Sequence, residues 1–533
     1  MDHGSEMTLV EQRSFIAQSL EQRLHSGAAS DEEKSFIDKA LKQRRGIEQR
    51  WEKLKQNREK QRRYYIATGK MQDPEKPRRL EDAITLVGEC QDMCPEYERV
   101  QRIYQNDVWA HENEPMSLTF TRPARIFDEY RMVKKFRRSA AGNEEQLPSD
   151  LRPPTVLKQT LDYLFAGLLH DFKLRDVQTF IWDRTRAIRN DFSIQQVTRD
   201  EDVKIAIECF EQIVRFHILS MHEMSAPDID VPDYSWAQDY EQMDKTLLSL
   251  DAYYSDNRDK KYQSPHEAEF RAYQVILCLK SPVPNIEDVI SRWPPHIVND
   301  KRIRKAVEIY NAGLKGTKKI GPLQPSRTPS FARDDWADFW SGLNSDSYSF
   351  LMVATAEICA MPIRDMVLKS FVKGFKQGGK KRLEDWTLEE MGKILGFEDL
   401  RQTRALCLKY GFKICKTADG TSEFVDPSSI GTRPLETPDG LPSQMQGRQA
   451  GRRRELRKAS AIIQGLSVLE AQRSNLIIHS EHVLTENIDE EVLPEDKPLF
   501  VASDEESDGA ESEPIVQRRS SAEKNKYDRF IAG

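Results

Sequence analysis

The residues with the most evident chemical potential form a run rich in glycine and lysine, Gly374–Lys381, which reads GFKQGGKK. Its spacing nearly matches the phosphate-binding loop G-x-x-x-x-G-K-[ST], in which backbone N–H groups cradle phosphates and the final hydroxyl binds magnesium. Lys381 stands where the hydroxyl is required, and the preceding residues have a helical pattern where that loop needs a strand. A P-loop-like nucleotide-binding enzyme is therefore the disfavoured alternative, and no cofactor is predicted.

Cys90 and Cys94 are a second candidate for chemistry. They have C-x-x-x-C spacing, His111 is the nearest histidine, and no second cysteine pair is present. A structural zinc site needs four ligands, so this set is incomplete. Cys94 precedes a predicted helix, whose N-terminus can lower the pKa of a thiol, but no base partner is identifiable. Because H-E-x-x-H and G-x-S-x-G are also missing, no catalytic or metal-binding residue is predicted.

Clusters of basic residues are a third candidate, as contacts for nucleic-acid phosphates. From about Asp38 to Tyr65 the chain has few helix breakers, which predicts one long solvent-exposed helix with too few apolar residues for a core. The cationic side chains of this helix are Lys42, Arg44, Arg45, Arg50, Lys53, Lys55, Arg58, Lys60, Arg62 and Arg63. They could follow phosphates, or they could belong to a solvated helix with internal ion pairs, and the pattern leaves both open.

The elements that must position such groups are organised around the stretch 87–165. Pro95 fits the first turn of a helix because its missing N–H needs no partner there, and Glu96 and Glu98 favour the positive end of the helix dipole. A helix is therefore predicted to start near Cys94. A second helix, which follows a proline pair, carries on one face Leu157, Leu161, Leu164, Phe165 and Leu168.

Three motifs of this stretch occur together in a known family. They are Cys90-Gln-Asp-Met-Cys-Pro-Glu96, Arg138-Ser-Ala-Ala-Gly142 and Leu151-Arg-Pro-Pro154. In this order they resemble the signature of the SAC/GANP family, the scaffolds of nuclear mRNA export, and the resemblance runs roughly over residues 87–425. It implies a PCI-type module of stacked helices and a winged helix that gathers protein partners and contacts nucleic acid.

Composition predicts a folded middle with charged flanks. The chain has 533 residues, a charged fraction of 31% and a mean hydropathy of -0.68. Residues 39–79 hold 15 lysines and arginines against 5 acidic residues, whereas residues 481–513 hold 13 acidic residues and one lysine. This asymmetry predicts a charged N-terminal arm over residues 1–86, near nucleic acid, and an acidic tail that stays solvated or meets a basic partner.

Cysteine usage and hydropathy bear on the cellular environment. Seven cysteines are scattered through apolar helical patterns, and no signal peptide is recognised, which predicts a reducing compartment. The longest apolar run, 350–361, is interrupted by Glu357 and is far shorter than the roughly 20 residues that a membrane span needs. We therefore expect a soluble protein with no membrane insertion.

Residues 87–345 show helix after helix without a fixed period. Apolar faces such as Val177, Phe180, Ile181 and Ile188 suit packing against a neighbouring helix, and single helices of this length are marginal in water. The pattern therefore predicts a mainly α protein built as an irregular helical solenoid, which the resemblance identifies as PCI-type.

Residues 346–427 are predicted to end the solenoid as a winged helix. Helices over 363–375, 387–395 and 400–410 precede two short strands around Asp419-Gly420, a strong turn signal. The candidate nucleic-acid contacts are the basic residues of this unit, namely Lys380, Lys381, Arg382, Arg401, Arg404, Lys409, Lys413 and Lys416. Winged helices in helical scaffolds also pair with a partner's winged helix, and both readings stay open here.

Residues 428–533 are predicted to be a disordered tail, because proline, glycine, serine and glutamine dominate its first part. It contains a candidate nuclear-import cluster of basic residues, namely Arg452, Arg453, Arg454, Arg457 and Lys458. After it, Ile462, Ile463 and Leu466 indicate a helix that could dock on a partner, and the acidic segment around Ser503 and Ser507 could be phosphorylated.

The resemblance implies a non-enzymatic scaffold subunit of the transcription-coupled mRNA-export complex, located in the nucleus at the pore. Its expected partners are a second PCI-domain subunit, a small acidic tether protein, RNA or DNA, and nuclear-pore components. The N-terminal arm has no Phe-Gly repeats, and the tail has no evident long helix with spaced tryptophans. Binding of the export receptor and of centrin is therefore not expected, and a paralog scaffold of splicing or centrosomes remains the alternative.

Overall fold

The computed structural model shows a mainly helical chain whose described part contains one two-stranded sheet. The mainly α prediction is thus confirmed. The structure describes residues 9–25, 30–73, 84–115, 125–138, 146–226, 229, 231–260, 262–281, 286–317, 335–345, 347–378, 383–397, 399–418, 420–431, 433–445 and 457–478. No helix in these ranges combines the length and the apolar character that crossing a membrane requires.

The N-terminal part contains the helices α1 Leu9–His25, α2 Asp31–Ala67 and α3 Glu96–Tyr104. Helix α2 starts where it does because Ser30 caps it: the Ser30 hydroxyl accepts a hydrogen bond from the Glu33 N–H at 3.2 Å. The prediction that α2 lacks a core is wrong. Its Trp51 lies in a hydrophobic cluster with Cys94 and Val100, and the Trp51 and Tyr104 rings stack at 5.9 Å. Helix α2 is therefore attached to the motif region.

The body of the chain is a series of helices that pack on one another. Its members are α4 Pro154–Asp162, α5 Leu169–Asp171, α6 Leu174–Gln195, α7 Asp200–Glu223, α8 Trp236–Asp256, α9 Glu267–Leu277, α10 Ile286–Ser291, α11 Pro295–Val298, α12 Lys301–Thr317, α13 Asp335–Asn344 and α14 Phe350–Ile358. A π-helical turn, Tyr163–Leu168, joins α4 to α5. Helix α7 packs on α8, α9 on α12 and α12 on α13, as an irregular helical solenoid requires.

Helix α14 lies in the core of the body. All its residues from Phe350 to Ile358 are buried, and it packs against α7 and α9. The division predicted at residue 345 placed this helix in the terminal unit instead. Apart from Thr355 and Glu357, which are also buried, its residues are apolar, so it has no exposed polar face that would mark a boundary.

A terminal unit follows α14 and has its own core. It consists of helices α15 Ala360–Gly378, α16 Leu388–Leu395 and α17 Leu400–Lys409 and of strands β1 Lys413–Lys416 and β2 Glu423–Asp426. The strands pair antiparallel, with Ile414 opposite Val425 and Lys416 opposite Glu423. Three helices followed by a hairpin are the winged-helix order that the sequence predicts.

The prediction of a disordered tail from residue 428 is wrong for two stretches. Residues 433–445 are described, and the Trp236 indole donates a hydrogen bond to Gln444 at 2.9 Å. Residues 457–478 form the helices α18 Ala459–Ile463 and α19 Val468–Arg473, and α18 packs on α7. Ile462 and Ile463 are buried in the core of the body, so the predicted docking helix packs on its own chain.

Candidate nucleic-acid and partner interface

Capping residues fix the helices of the terminal unit. The Thr387 hydroxyl accepts from the Glu390 N–H at 3.3 Å and starts α16, and the Asp399 carboxylate accepts from the Arg401 N–H at 2.7 Å and starts α17. Gly396 ends α16 with φ of +71°, and a Cβ there would lie 2.7 Å from the Trp340 ring. Glycine is required there both for the left-handed backbone and for the close approach.

A buried arginine joins the core of the unit to its surroundings. The Arg364 side chain lies over the Phe397 ring at 4.1 Å, and its Nε donates to the Leu395 carbonyl at 2.9 Å. Burial lowers the pKa of Arg364 to about 10. The Arg364 guanidinium thus contacts both Leu395 and Phe397, and its role is structural.

The two arginines predicted to contact nucleic acid from α17 both have carboxylate partners in the chain. The Arg401 Nη2 lies 2.9 Å from Asp399, which caps the same helix, and the Arg404 guanidinium pairs with Glu423 on β2. Both arginines are exposed, but each positive charge is balanced by an acid beside it. Their attraction for phosphate is correspondingly weakened.

The remaining predicted contacts lie around the hairpin or outside the described residues. The Lys409 Nζ donates to the Gly440 carbonyl at 3.1 Å, while the side chains of Lys413 and Lys416 are exposed on β1. Lys380, Lys381 and Arg382 lie outside the described residues. Within the described part, the predicted nucleic-acid contacts are therefore three lysines around the hairpin and two arginines whose charges are balanced by carboxylates.

Helix α17 also exposes apolar side chains. Leu400 and Leu408 are 40% and 49% exposed, and they share the outer face of the helix with Arg404 and Ala405. An exposed leucine in the third helix of such a unit has no role in phosphate binding. It suits contact with another protein surface.

The candidate import cluster is only partly described. Arg452, Arg453 and Arg454 lie outside the described residues. The Arg457 guanidinium donates to the Leu466 carbonyl at 2.9 Å, and Arg457 bridges to Ile477, so this residue begins the folded segment that contains α18 and α19. Gly465 in this segment has φ of +71° and lies against the Arg215 guanidinium.

Two of the three motifs that carry the family resemblance meet in space, while residues 139–142 of the second motif lie outside the described residues. The Cys90 N–H donates to the Leu151 carbonyl at 2.9 Å, and the Arg152 guanidinium donates to the Met93 carbonyl at 3.2 Å. Gly88 lies so close to this junction that a Cβ would be 2.7 Å from the Leu151 carbonyl oxygen. The first and third motifs therefore form one structural joint.

A buried ion network lies beside that joint. The fully buried Glu112 pairs with Arg102 and, at 3.3 Å, with Arg184, and it also accepts from the Val133 N–H at 3.1 Å. Burial alone would raise the pKa of Glu112, but the two guanidinium groups hold it below the ordinary value. Paired buried charges of this kind hold segments in register, and they are not free for chemistry.

Neither of the enzyme-like features has the geometry of a reactive site. Cys94 is fully buried, and burial raises the pKa of its thiol well above the ordinary value, so the helix N-terminus does not activate it. In the described residues, no group of three or more histidine, cysteine or acidic side chains is placed to hold a metal. Gly374 lies inside helix α15, where a phosphate-binding loop requires a strand before the glycine.

The basic residues of helix α2 are functional candidates, and their arrangement on the helix was not predicted from the sequence. Its basic residues divide between a packed face and an outer face. On the packed face, Arg58 forms two hydrogen bonds with Asp150, at 3.0 and 2.7 Å, and lies 4.0 Å from the centre of the Tyr97 ring. On the outer face Lys42, Lys53 and Lys60 are exposed. A helical projection of the sequence would have placed these lysines on one line.

Comparison with known proteins agrees with this architecture. A sequence model of the SAC3/GANP family matches residues 93–416. SAC3 family protein 1 of Schizosaccharomyces pombe is 36% identical over 370 residues, which cover 68% of this chain and 34% of that protein. Protein xmas of Drosophila melanogaster is 28% identical over 334 residues, covering 61% of this chain and 14% of that protein.

SAC3 family protein B of Arabidopsis thaliana is 32% identical over 206 residues, which cover 36% of this chain and 11% of that protein. This chain therefore spans about a third or less of the length of these relatives. The family match covers more than half of the chain and includes the motif joint, the body and most of the terminal unit. The chain belongs to the SAC3/GANP family.

Proposed function

We propose that this protein is a non-enzymatic scaffold subunit of nuclear mRNA export, located in the nucleus at the pore. The observation that carries the proposal is the family match over residues 93–416, which covers the helical body and the terminal unit as far as the end of β1. Stacked helices give a scaffold a large surface for partners without requiring a catalytic pocket. The expected partners are a second PCI-domain subunit, a small acidic tether protein, RNA or DNA, and pore components.

The terminal unit is the proposed PCI-type winged helix, and helix α17 is its pairing surface. Leu400 and Leu408 provide exposed apolar area, and the neutralised Arg401 and Arg404 lower the electrostatic cost of covering that area with protein. The partner suited to this face is the winged helix of a second PCI-domain protein. Of the two readings that the sequence left open, these observations favour protein pairing for α17.

The hairpin side of the unit supports a nucleic-acid contact at the edge of that pairing surface. Lys409, Lys413 and Lys416 lie there, and neither Lys413 nor Lys416 has a side-chain ion pair in the described part of the chain. In the paired complex these cations would face RNA or DNA beside the second subunit. Three lysines alone make a weak site, so further contacts elsewhere are expected.

The pairing surface is tested by co-expression with the second PCI-domain subunit and affinity purification of the complex. Leu400→Glu combined with Leu408→Glu should abolish stoichiometric co-purification, because it places two charges in an apolar contact. Leu248→Glu is the matched control, since Leu248 is a 70% exposed leucine on α8. Equal recovery of the partner with the double variant would contradict the assignment of α17.

The same purification from nuclear extract tests the functional class. Recovery of a PCI-domain subunit and a small acidic protein in stoichiometric amounts is expected. Recovery of splicing or centrosomal proteins in their place would support the paralog scaffold. A nucleotide-dependent rise in the melting temperature of the purified chain would instead support an enzyme.

A further inference from the structure

Helix α2 presents two faces that differ in how their charges are used. The face toward the motif region buries Ile47, Trp51 and Tyr65. Arginines on this face form ion pairs with neighbouring segments of the chain. Arg50 lies 2.7 Å from Glu129 and 2.9 Å from Glu96. This face attaches the helix to the body, so the opposite face is held at a fixed orientation.

The outer face carries a line of lysines. Lys42, Lys53 and Lys60, which we name the lysine stripe, are 11 and 7 residues apart, close to three and two turns of an α-helix. They therefore lie one behind another, at spacings of about 17 Å and about 10 Å. All three side chains are exposed, on the side of the helix opposite Trp51.

The lysine stripe has no counter-ions on the described part of the molecule. None of its three ammonium groups takes part in a hydrogen bond or ion pair there. Of the acids closest to Lys53 and Lys60, Glu52 pairs with Lys55, and Glu59 pairs with Arg62 and Arg63. Asp38 is exposed one turn before Lys42, so the charge of the stripe is least balanced at Lys53 and Lys60. The positive charge of the stripe is thus available to an anionic ligand.

An exposed tyrosine continues the same face. Tyr64 is 59% exposed and follows Lys60 by four residues, about one turn along the helix. The positions between the lysines on this face include Gln49 and Gln56, which are uncharged donors and acceptors. The Tyr64 ring meets the Tyr65 ring edge to face at 5.6 Å and remains largely exposed. Cations in a row beside an exposed aromatic ring are the combination that single-stranded nucleic acids use, by phosphate pairing and base stacking.

We propose that the lysine stripe binds the phosphodiester backbone of single-stranded nucleic acid, with Tyr64 stacking on a base at one end. This inference rests on the proposed function, because it identifies a site for the RNA that an export scaffold would carry, away from the terminal unit. Lysine is a mobile point charge, so contacts of this kind follow the backbone without reading sequence. A stripe about 27 Å long would span several nucleotides.

The test uses the full chain and a fluorescein-labelled 20-nucleotide poly(U) RNA, with anisotropy measured from 50 to 300 mM NaCl. Lys42→Gln, Lys53→Gln and Lys60→Gln together should weaken binding by roughly 10- to 100-fold at 100 mM NaCl. The same variant should reduce the slope of log affinity against log salt by about 2, because each lost phosphate contact contributes about 0.7. Replacing the three lysines with arginine should keep the affinity and the slope.

The matched control replaces three other exposed lysines with glutamine: Lys204, Lys245 and Lys315. Each of these has an acidic side chain of the same chain within 4.0 Å, so the charge change is the same but no free cation is lost. This control should change RNA affinity by less than about threefold. Tyr64→Ala should weaken RNA binding about 10-fold, as expected for the loss of one base–aromatic stack.

Parallel titrations with poly(U), poly(dT) and a duplex distinguish which kind of nucleic acid supplies the phosphodiester backbone. Comparable loss of binding to poly(U) and poly(dT), with a smaller loss for duplex, supports the single-strand assignment. Unchanged poly(U) binding by the triple glutamine variant overturns it. Loss of binding to poly-glutamate with RNA binding unchanged also overturns it and assigns the stripe to an acidic protein partner.

These outcomes can be separated from failure of the proposed function. If the wild-type chain co-purifies with its PCI-domain partner and binds RNA that the stripe variant binds equally well, only the stripe inference fails. If the wild-type chain neither recovers the partner nor binds RNA, the proposed function fails with it. Circular dichroism should give the same helix content for all variants, because every replaced side chain is exposed and none belongs to a buried cluster.

Discussion

Helix α2 and helix α17 both carry several cationic side chains, and they differ in what those side chains contact. On α17, Arg401 and Arg404 are each paired with a carboxylate of the same unit. On α2, the arginines of the packed face hold the helix to the body, while Lys42, Lys53 and Lys60 remain without counter-ions in the described part. Basic residues make up a similar fraction of both helices, 12 of 37 on α2 and 3 of 10 on α17, but these charges differ in their availability to a ligand.

This difference shows that a basic surface is defined by the placement of its counter-charges. Glu423 neutralises Arg404 because strand β2 returns beside α17 at that register. On α2, Glu52 and Glu59 pair with Lys55, Arg62 and Arg63, and the three stripe lysines form no ion pair in the described part of the chain. Phosphate is attracted to the net local charge, and the two helices are therefore expected to serve different partners.

The largest expected effect tests whether α2 is anchored at all. Trp51→Ala should lower the free energy of unfolding by about 3–5 kcal/mol, because it removes a large aromatic side chain from a buried cluster. Urea unfolding followed by circular dichroism measures the change. Gln56→Ala, on the exposed face, should stay within about 0.5 kcal/mol. Equal stability of the two variants would make α2 a detached arm and would break the comparison.

The next effect tests the arginines of the packed face. Arg58→Ala should lower stability by about 2 kcal/mol, since it loses two charge-assisted hydrogen bonds to Asp150 and a stack on Tyr97. A double-mutant cycle with Asp150→Asn isolates the pair. Arg58→Met keeps much of the contact with the ring and should cost less than Arg58→Ala. A coupling free energy near zero would show that the pair does not attach α2.

A smaller effect tests the neutralisation of α17. Arg404→Gln should change RNA affinity by less than about twofold and stability by less than about 1 kcal/mol, because Arg404 forms a surface pair with Glu423. Lys42→Gln alone should weaken RNA binding about fivefold at 100 mM salt. Anisotropy titrations of both single variants make the comparison direct. A larger loss from Arg404→Gln than from Lys42→Gln would reverse the assignment of the two helices.

The smallest effect is a pH dependence at the C-terminal end of α2. The Lys70 ammonium and the Tyr65 hydroxyl, which donate to Glu89 at 2.6 and 2.9 Å, lower the pKa of Glu89 although burial opposes the shift. Its contribution to stability is therefore present above pH 4.5 and is lost as pH falls through the lowered folded pKa.

The side chains of Glu89 and Lys70 are 39% and 49% exposed, so solvent screening should keep the effect small. Wild type should lose stability between pH 5 and pH 3 slightly faster than Glu89→Gln, as measured by thermal melting at each pH. Identical pH profiles would show that Lys70 and Glu89 do not hold this end of the helix.

Local signals predicted the terminal unit well. Thr387 as a cap, Gly396 as a helix end and the turn near Gly420 act over a few residues, and the helices and strands form where these signals place them. The same local reasoning could not foresee the pair between Arg404 and Glu423, which depends on how the hairpin folds back. The sequence therefore predicts that Arg401 and Arg404 lie on α17, but not that carboxylates balance their charges.

Long-range packing explains the errors. The burial of Trp51 could not be predicted because its partners in the cluster, such as Cys94 and Phe127, are far along the chain. Ile462 and Ile463 lie in a polar, low-complexity context, and the surface that buries them belongs to α7, about 250 residues earlier. Helical spacing can mark such residues as one apolar face, but it does not identify the distant segment that covers the face, so only the folded chain reveals these contacts.

The return of residues 457–478 to α7 has a consequence for biosynthesis and for the choice of fragments. The core that contains α7 lacks Ile462 and Ile463 until more than 200 further residues have been synthesised after α7. A fragment that stops after β2 would uncover apolar surface on α7 and should aggregate more readily than one that ends at residue 478. Helix α18 is thus translated long after helix α7, which it covers.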